Sequence, residues 1–170
     1  MLNRQYTTLE TVIGLLFIVA ENGKLSAVHI GKDDFDKHET GKGLIENPDN
    51  PVLAAAVEQL GEYFNGTRTS FQLPLDLAGT DFQQAVWKQL EAIPFGVTKS
   101  YQDVASTIGK SKAVRAVGQA NKANKFPIII PCHRVIGKNK ALTGYAGTRT
   151  DIKEKLLRHE KASFKGSVST

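Results

Sequence analysis

The sequence predicts an α/β protein in two parts: a small α/β domain over residues 1–78 and a mainly helical domain over residues 79–165, followed by a tail over residues 166–170. Two observations predict this fold class. Paired β-rich runs open the chain, and capped segments with helical periodicity fill its second part. A length of 170 residues is enough to build a core in each of two small domains.

The first elements are two β-rich runs, residues 11–20 and 24–30, which flank the dipeptide Asn22-Gly23. This dipeptide is a strong hairpin signal, because both residues accept the positive φ angles of a two-residue turn. The charged stretch 31–49 shows no periodicity and is predicted to be a loop. The run 69–77 is predicted to be the last strand of this domain.

Between these runs, the segment 50–66 is typical of an amphipathic helix. Asn50 is a good N-cap, Pro51 suits the first helical position, and Gly66 ends the helix. The predicted apolar face is formed by four residues at helical spacing: Leu53, Val57, Leu60 and Phe64.

The second part opens with a helix capped by Thr80, which is predicted to form a capping box with Gln83. The apolar residues of this helix recur on one face: Phe82, Val86, Leu90 and Ile93. The next helix repeats the pattern, with Ser100 as the cap, Asp103 at the third position and Gly109 as the stop.

The segment 110–124 supplies the second helix of a predicted helix-turn-helix, in a basic context. This helix has small residues at four positions: Ala113, Ala116, Gly118 and Ala120. Small side chains permit close approach of either a nucleic acid backbone or another helix, and the residues alone leave both interpretations open. A last helix is predicted over residues 151–160.

Charge is distributed unevenly along the chain. Residues 1–87 contain 6 Lys+Arg and 12 Asp+Glu, and residues 88–170 contain 16 and 5, so charges of −6 and +11 add to the net charge of +5. A half-chain this basic indicates a polyanionic partner such as nucleic acid. A solvated lysine-rich surface that serves solubility is the alternative.

Composition excludes several classes of protein. The single cysteine rules out an internal disulfide and the multi-cysteine zinc sites. The longest apolar run, residues 12–20, is too short to span a bilayer and lacks the features of a signal peptide, so the expected location is the cytoplasm. No metal site is predicted, because the four histidines lack close ligand spacing: His29, His38, His133 and His159. No cofactor is predicted either, because the sequence has no cofactor motif.

The one cysteine, Cys132, ends an apolar run that we predict to be a buried strand, and His133 and Arg134 follow it. A lone cysteine is more often an inert buried residue than a nucleophile. A neighbouring base or cation favours the reactive thiolate, however. His133 is a candidate base that acts through a bound water molecule or after a bend at Pro131, and Glu160 is a candidate partner that orients it.

The motif around Cys132 belongs to a longer ordered pattern. PCHRVIG follows FQQAVWKQLEAIPFGVTKSY and RAVGQANKAN, and it precedes GYAG and LLRHE. From Thr80 to Glu160 this set resembles the methylated-DNA–protein-cysteine methyltransferase family, the O6-alkylguanine-DNA alkyltransferases. The first domain matches the family only in general layout, where the resemblance implies a ribonuclease-H-like α/β fold.

The resemblance implies direct repair of DNA. Cys132 would accept the alkyl group from O6 of guanine, or from O4 of thymine, once per protein molecule and without a cofactor. His133 would deprotonate Cys132 through water, and Glu160 would orient His133. Asn124 would be the hinge between the recognition helix and the active-site segment. Tyr101 would help to rotate the nucleotide out of the duplex and would hydrogen-bond the guanine.

The resemblance also implies how the duplex and the base are held. Arg115 would fill the gap left by the flipped base. The recognition helix would enter the minor groove of double-stranded DNA through its small residues: Ala113, Ala116 and Gly118. The guanine pocket would be shaped by residues from three segments: Val135, Tyr145, Ala146, Gly147 and Lys153. We expect a monomer. The sequence departs from the family pattern at Lys125, which stands where a proline is common.

Two other functions remain open on the residues alone. A cysteine hydrolase would need an oxyanion hole and would turn over many times. A DNA-lesion-binding or regulatory helix-turn-helix module would bind without chemistry, but lesion-binding modules of similar fold lack the cysteine. A helix that reads the major groove would also carry longer polar side chains. A gain of mass at Cys132 after incubation with methylated DNA distinguishes alkyl transfer from these two other functions.

Overall fold

The computed structural model describes residues 4–137 and 150–164. The chain divides into two compact units, Met1–Leu77 and Ala78–Thr170. The first unit holds a four-stranded sheet and two helices, and the second is mainly helical. The predicted α/β fold class, with a helical second part, is therefore confirmed. No helix among the described residues is long and apolar enough to cross a membrane.

The sheet of the first unit has the strand order β3-β2-β1-β4, in which β4 runs parallel to β1 and the other pairs are antiparallel. The strands are β1 (Arg4–Thr11), β2 (Gly14–Glu21), β3 (Lys24–Ile30) and β4 (Ile45–Glu46). Asn22 and Gly23 have φ angles of 54° and 78°, which confirms the predicted hairpin between β2 and β3. The β run predicted over residues 11–20 is confirmed from Gly14 onward, whereas Thr11 ends β1 and the chain turns at Val12 and Ile13.

The stretch 31–49 is not the predicted loop. It contains helix α1 (Lys32–Glu39) and strand β4. Hydrophobic periodicity missed α1 because the helix has one aromatic residue, Phe35, among polar ones. Phe35 stacks on Phe17 of β2 with ring centroids 4.3 Å apart and also packs against Tyr6 of β1 at 4.9 Å, so this one side chain supplies the apolar contact of the helix with the sheet.

The segment 69–77 is not the predicted strand. It makes one isolated bridge, between Leu75 and Leu25, supported by the bond from the N–H of Leu25 to the carbonyl of Pro74 at 2.8 Å. Pro74 has no N–H to donate to a longer ladder, so the segment stays extended without joining the sheet.

Helix α2 (Pro51–Phe64) begins as predicted, since the Asn50 side chain accepts hydrogen bonds from the first N–H groups of the helix. Its buried face differs from the predicted one. The buried residues are Leu53, Ala56, Leu60 and Tyr63, whereas Val57 and Phe64 are only partly buried. The helix packs against β1 and β2, and the small side chain of Ala56 lies in that contact face.

The second unit begins with helix α3 (Asp81–Glu91), and both bonds of the predicted capping box between Thr80 and Gln83 are present. Its buried residues are Val86, Trp87 and Leu90, while Phe82 is half-buried. The indole Nε1 of Trp87 donates to the carbonyl of Ala120 at 2.9 Å, which ties α3 to the second helix of the helix-turn-helix.

The helix-turn-helix consists of α4 (Tyr101–Thr107) and α5 (Val114–Lys122), which pack against each other. The predicted capping box of Ser100 and Asp103 is present, and Gly109 ends the first helix with a φ angle of 75°. Strands β5 (Lys99–Ser100) and β6 (Val135–Ile136) pair in parallel. They bring the start of α4 beside the segment that follows Cys132. Helix α6 spans Thr150–His159.

Candidate active site

The backbone around Cys132 differs from the predicted buried strand. Residues 127–129 form a turn in which Ile128 has a φ angle of 76°, and Cys132–Arg134 is a short 3-10 helix that begins after Pro131. The N–H of Cys132 donates to the carbonyl of Ile130 at 2.7 Å. The apolar run is buried as expected, but proline and the turn prevent it from pairing as a strand. Cys132 itself is 5% exposed.

The 3-10 helix directs His133 and Arg134 to the same carboxylate, that of Glu160 directly after α6. His133 Nε2 lies 2.7 Å from one Glu160 oxygen, and the Arg134 guanidinium donates to both oxygens at 2.8 and 3.0 Å. All three side chains are almost completely buried. The predicted pairing of His133 with Glu160 is therefore present in the fold, and Arg134 is an additional member.

Electrostatics keep Glu160 ionised and His133 neutral. Burial opposes ionisation of Glu160, but His133 and Arg134 outweigh it and hold the pKa of the carboxyl well below its usual range. Burial lowers the pKa of His133, and the charges of Arg134 and Lys153 add to that effect against the attraction of Glu160. Because the carboxylate accepts the Nε2–H, Nδ1 is the acceptor nitrogen of the neutral ring. His133 has the protonation state that a general base requires.

Arg134 is one of two site residues that sequence reasoning did not assign. Besides Glu160, it donates to the carbonyl of Ile93 at 2.6 Å, and its guanidinium lies 5.8 Å from the ring centroid of Phe95. The N–H of Gly96 also donates to Glu160, at 3.3 Å. The sequence feature that could have identified Arg134 is its position inside an apolar stretch. A guanidinium buried there requires a carboxylate partner elsewhere in the chain.

Lys153 and Tyr101 lie close to the same region. The fully buried Nζ of Lys153 donates to the carbonyl of Val135 at 2.5 Å and lies 5.8 Å from the ring centroid of Tyr101. Burial lowers the pKa of Lys153 to about 8, while the charge of Cys132 acts in the opposite direction. The fold thus brings together Tyr101, Val135 and Lys153, which the sequence analysis assigned to the site separately.

Two asparagines connect α5 to the cysteine segment. The side chain of Asn124 donates to the carbonyl of Ile130 at 2.9 Å and accepts from the N–H of Phe126 at 2.9 Å, which is a bridging geometry of the kind expected for a hinge. Asn121, which the sequence analysis did not assign, is buried and donates to the carbonyl of Cys132 at 3.4 Å. The sequence feature that could have identified Asn121 is a polar residue on the inner face of a short helix.

The outer surface of α5 carries the residues predicted to contact DNA. Arg115 and Ala116 are exposed, and Ala113 and Gly118 are partly buried. A Cβ built on Gly118 would have no atom of another described segment within 4 Å, so close helix packing does not explain this glycine. Tyr145, Ala146 and Gly147 lie outside the described residues.

Comparison with known proteins gives a consistent result for both units. Residues 5–77 match the family model of the 6-O-methylguanine DNA methyltransferase ribonuclease-like domain, and residues 81–162 match that of the DNA-binding domain of the same proteins. The chain belongs to the 6-O-methylguanine DNA methyltransferase family. Both matches agree with the resemblance inferred from the motifs around Cys132.

Individual members of the family cover almost the whole chain. The constitutive methylated-DNA–protein-cysteine methyltransferase of Bacillus subtilis is 52% identical over 161 residues, which is 94% of this chain and 97% of the relative. The crystal structure of Mycobacterium tuberculosis OGT in complex with DNA has a TM-score of 0.82 and 41% identity, with 92% of each chain covered. The M. tuberculosis O6-methylguanine methyltransferase gives a TM-score of 0.83 at 40% identity, with 95% of this chain and 93% of that one covered.

Proposed function

We propose that this protein repairs DNA by transferring the methyl group from O6 of methylated guanine to the Sγ atom of Cys132. The observation that carries the proposal is the buried network of His133, Arg134 and Glu160 at the cysteine. Family membership supports the reaction, because relatives that match over nearly the whole chain are named for this transfer.

The proposed reaction is a displacement at the methyl carbon. Cys132 gives its thiol proton to the neutral His133 through a water molecule, and Glu160 holds the imidazolium that forms. The thiolate forms the C–S bond as the C–O6 bond breaks, and the electron pair of the broken bond stays on the guanine oxygen. Transfer of a proton to the guanine then completes the repaired nucleobase. Tyr101 is the proposed hydrogen-bond donor to this guanine.

Lys153 assists by charge rather than by direct chemistry. Its pKa of about 8 leaves it mostly protonated at neutral pH, so a positive charge lies close to the forming thiolate. Its bond to the carbonyl of Val135 also fixes the edge of the proposed guanine pocket. The product is a thioether, and the chain has one cysteine, so we propose one transfer per molecule.

The target atom is inaccessible in a stacked duplex, and we propose that the nucleotide is flipped out. Helix α5 enters the minor groove with its exposed face, and Arg115 fills the space left by the base. Asn124 is the proposed hinge that couples α5 to the cysteine segment. We also propose that the protein acts as a monomer in the cytoplasm.

The test is a titration of the protein with a duplex that contains one O6-methylguanine, followed by intact mass and peptide mapping. We expect the mass of one methyl group on Cys132 and repair that stops at one equivalent. The unmethylated duplex and the variant Cys132→Ala are the controls. Repair beyond one equivalent indicates a hydrolase, and binding without any mass gain indicates a lesion-binding module; either result contradicts the proposal.

A further inference from the structure

The first unit contains a cluster of possible metal ligands that the proposed function does not use. One ligand atom from each of His29, Asp34 and His38 lies within 4.8 Å of the other two. Sequence reasoning predicted no metal site, because these histidines are not closely spaced in the chain. The fold brings them together: Asp34 and His38 are one turn apart on α1, and His29 is near the end of β3.

The ligand atoms of this cluster are close enough for side-chain rotation to bring them around one metal ion. One carboxylate oxygen of Asp34 lies 3.1 Å from His29 Nδ1, and the other lies 3.2 Å from His38 Nδ1. In a tetrahedral zinc site with bonds of about 2.0–2.2 Å, neighbouring ligand atoms are roughly 3.3–3.5 Å apart. The two imidazole rings are stacked, with centroids 5.3 Å apart and planes at 13°. The two distances join different oxygens of Asp34, and His38 Nδ1 also lies 2.9 Å from the backbone carbonyl oxygen of Asp34, so both side chains rotate before three ligand atoms face one ion.

A hydrogen bond to a buried carboxylate supports His29 as a ligand. Its Nε2 lies 2.7 Å from the buried carboxylate of Glu39, which in turn is paired with Arg4. A carboxylate that accepts one ring N–H leaves the other nitrogen, Nδ1, as the lone pair available to a metal. The nitrogen selected in this way is the one that faces Asp34. This arrangement is the carboxylate–histidine pair that orients metal ligands in proteins.

We propose that His29, Asp34 and His38 bind one divalent transition-metal ion of the zinc class, with water completing the coordination. Two imidazoles and a carboxylate suit zinc, cobalt or nickel better than calcium or magnesium. His38 is about half-exposed, which provides the entry path and rotational freedom. The metal connects α1 to β3.

The structure also indicates what the ion does. Helix α1 has 8 residues and no side-chain hydrogen bond at its N-cap in the described part of the chain. Phe35 is its one apolar anchor on the sheet. An ion held between α1 and β3 stabilises this helix and leaves the chemistry at Cys132 in the other unit unchanged.

The competing interpretation is a metal-free hydrogen-bond network. Burial opposes protonation of His29, but the bonds to Asp34 and Glu39 outweigh it and raise the pKa of this histidine. In that case His29 is a cation held between two carboxylates, and Asp34 is its counter-ion. The two interpretations differ in whether added metal binds, and in which substitutions abolish that binding.

The experiment is titration of the chelator-treated, full-length protein with Co²⁺, monitored by visible absorption, followed by displacement with Zn²⁺. We expect one equivalent with a tetrahedral spectrum, and an affinity at least tenfold lower in His38→Gln and Asp34→Asn. Zn²⁺ is expected to raise the melting temperature of the parent protein but not that of these variants. His159→Gln and Asp33→Asn are matched controls of the same residue types outside the cluster, and they keep the binding.

Cys132→Ser is titrated in parallel, because a thiol can also bind these metals. Binding lost in Cys132→Ser but kept in His38→Gln overturns the proposal, as does the absence of stoichiometric binding to the parent. Glu39→Gln gives a second measurement, with a loss of about 10–100-fold in affinity expected because the Glu39 carboxylate orients the His29 ring. Methyl transfer by all variants except Cys132→Ser is expected to be unchanged, which reports that they are folded.

Discussion

Replacing Glu160 with glutamine tests the central network of the proposed site. The substitution preserves size and leaves one oxygen to accept a hydrogen bond, but it removes the negative charge. Arg134, which donates to Glu160 at 2.8 and 3.0 Å, is then a buried cation without its counter-ion. His133 loses the carboxylate 2.7 Å from its Nε2. Both interactions are lost in a nearly solvent-free region, so water cannot replace the missing charge of the carboxylate.

The magnitude follows from the burial of the pair. Breaking a buried ion pair by removing one partner costs about 3–5 kcal/mol, because an uncompensated charge remains. Ile93, whose carbonyl accepts a bond from Arg134 at 2.6 Å, satisfies one donor but supplies no negative charge. We therefore expect Glu160→Gln to lower the free energy of unfolding by about 3–5 kcal/mol, which corresponds to a fall of roughly 6–20 °C in melting temperature.

Urea denaturation of the full chain measures this loss, with Glu154→Gln as the matched control. Glu154 pairs with Arg158 at 2.8 Å on the surface of α6, and an exposed pair of this kind contributes about 0.5 kcal/mol or less. Adding Arg134→Met to Glu160→Gln is expected to restore part of the lost stability, since it removes the orphaned charge. Equal stability of Glu160→Gln and Glu154→Gln, or strict additivity of the double variant, would refute the reasoning.

Three further predictions concern the reaction, the DNA and pH. Cys132→Ala is expected to abolish methyl transfer and leave DNA binding intact, because the nucleophile is one atom whereas binding uses a basic surface; residual transfer contradicts the assignment. Arg115→Ala is expected to slow repair of duplex DNA more than that of short single strands, and equal losses would make Arg115 a simple phosphate contact. The folded-state pKa values of His133 and Glu160 lie below their unfolded values, so the unfolded chain binds more protons in acid. Stability measured by urea denaturation is expected to fall below about pH 6.5 and further below about pH 4.5, and a flat profile from pH 7 to pH 4 would contradict this.

Local signals account for what was predictable in the fold. The hairpin at Asn22-Gly23, the Asn50 cap and the capping boxes at Thr80 and Ser100 all appear where the sequence placed them. Each depends on residues within about four positions of one another, so tertiary packing does not have to be known. Helix α1 was missed for the complementary reason: its main apolar anchor is a contact with a distant strand.

The candidate site shows the same division. Motif order was enough to nominate Cys132, His133 and Glu160, and the structure places the last two in contact, although their catalytic roles stay predictions. The residue that shares the carboxylate, Arg134, emerged only from the fold. Its partner is 26 positions away, and nothing in the sequence around either residue specifies that distance in space.

The sequence by itself determined the fold class, the capped helices and the charge asymmetry, and it nominated one candidate nucleophile inside a specific ordered motif. Only the tertiary structure decided the 3-10 turn that directs His133 and Arg134 to one carboxylate, and the approach of α1 to β3 that gathers His29, Asp34 and His38. The physical reason is the separation along the chain of the residues on which each feature depends. Caps and turns are local free-energy minima of a short segment, whereas a buried charge or a ligand cluster exists only when packing brings distant segments together and excludes water.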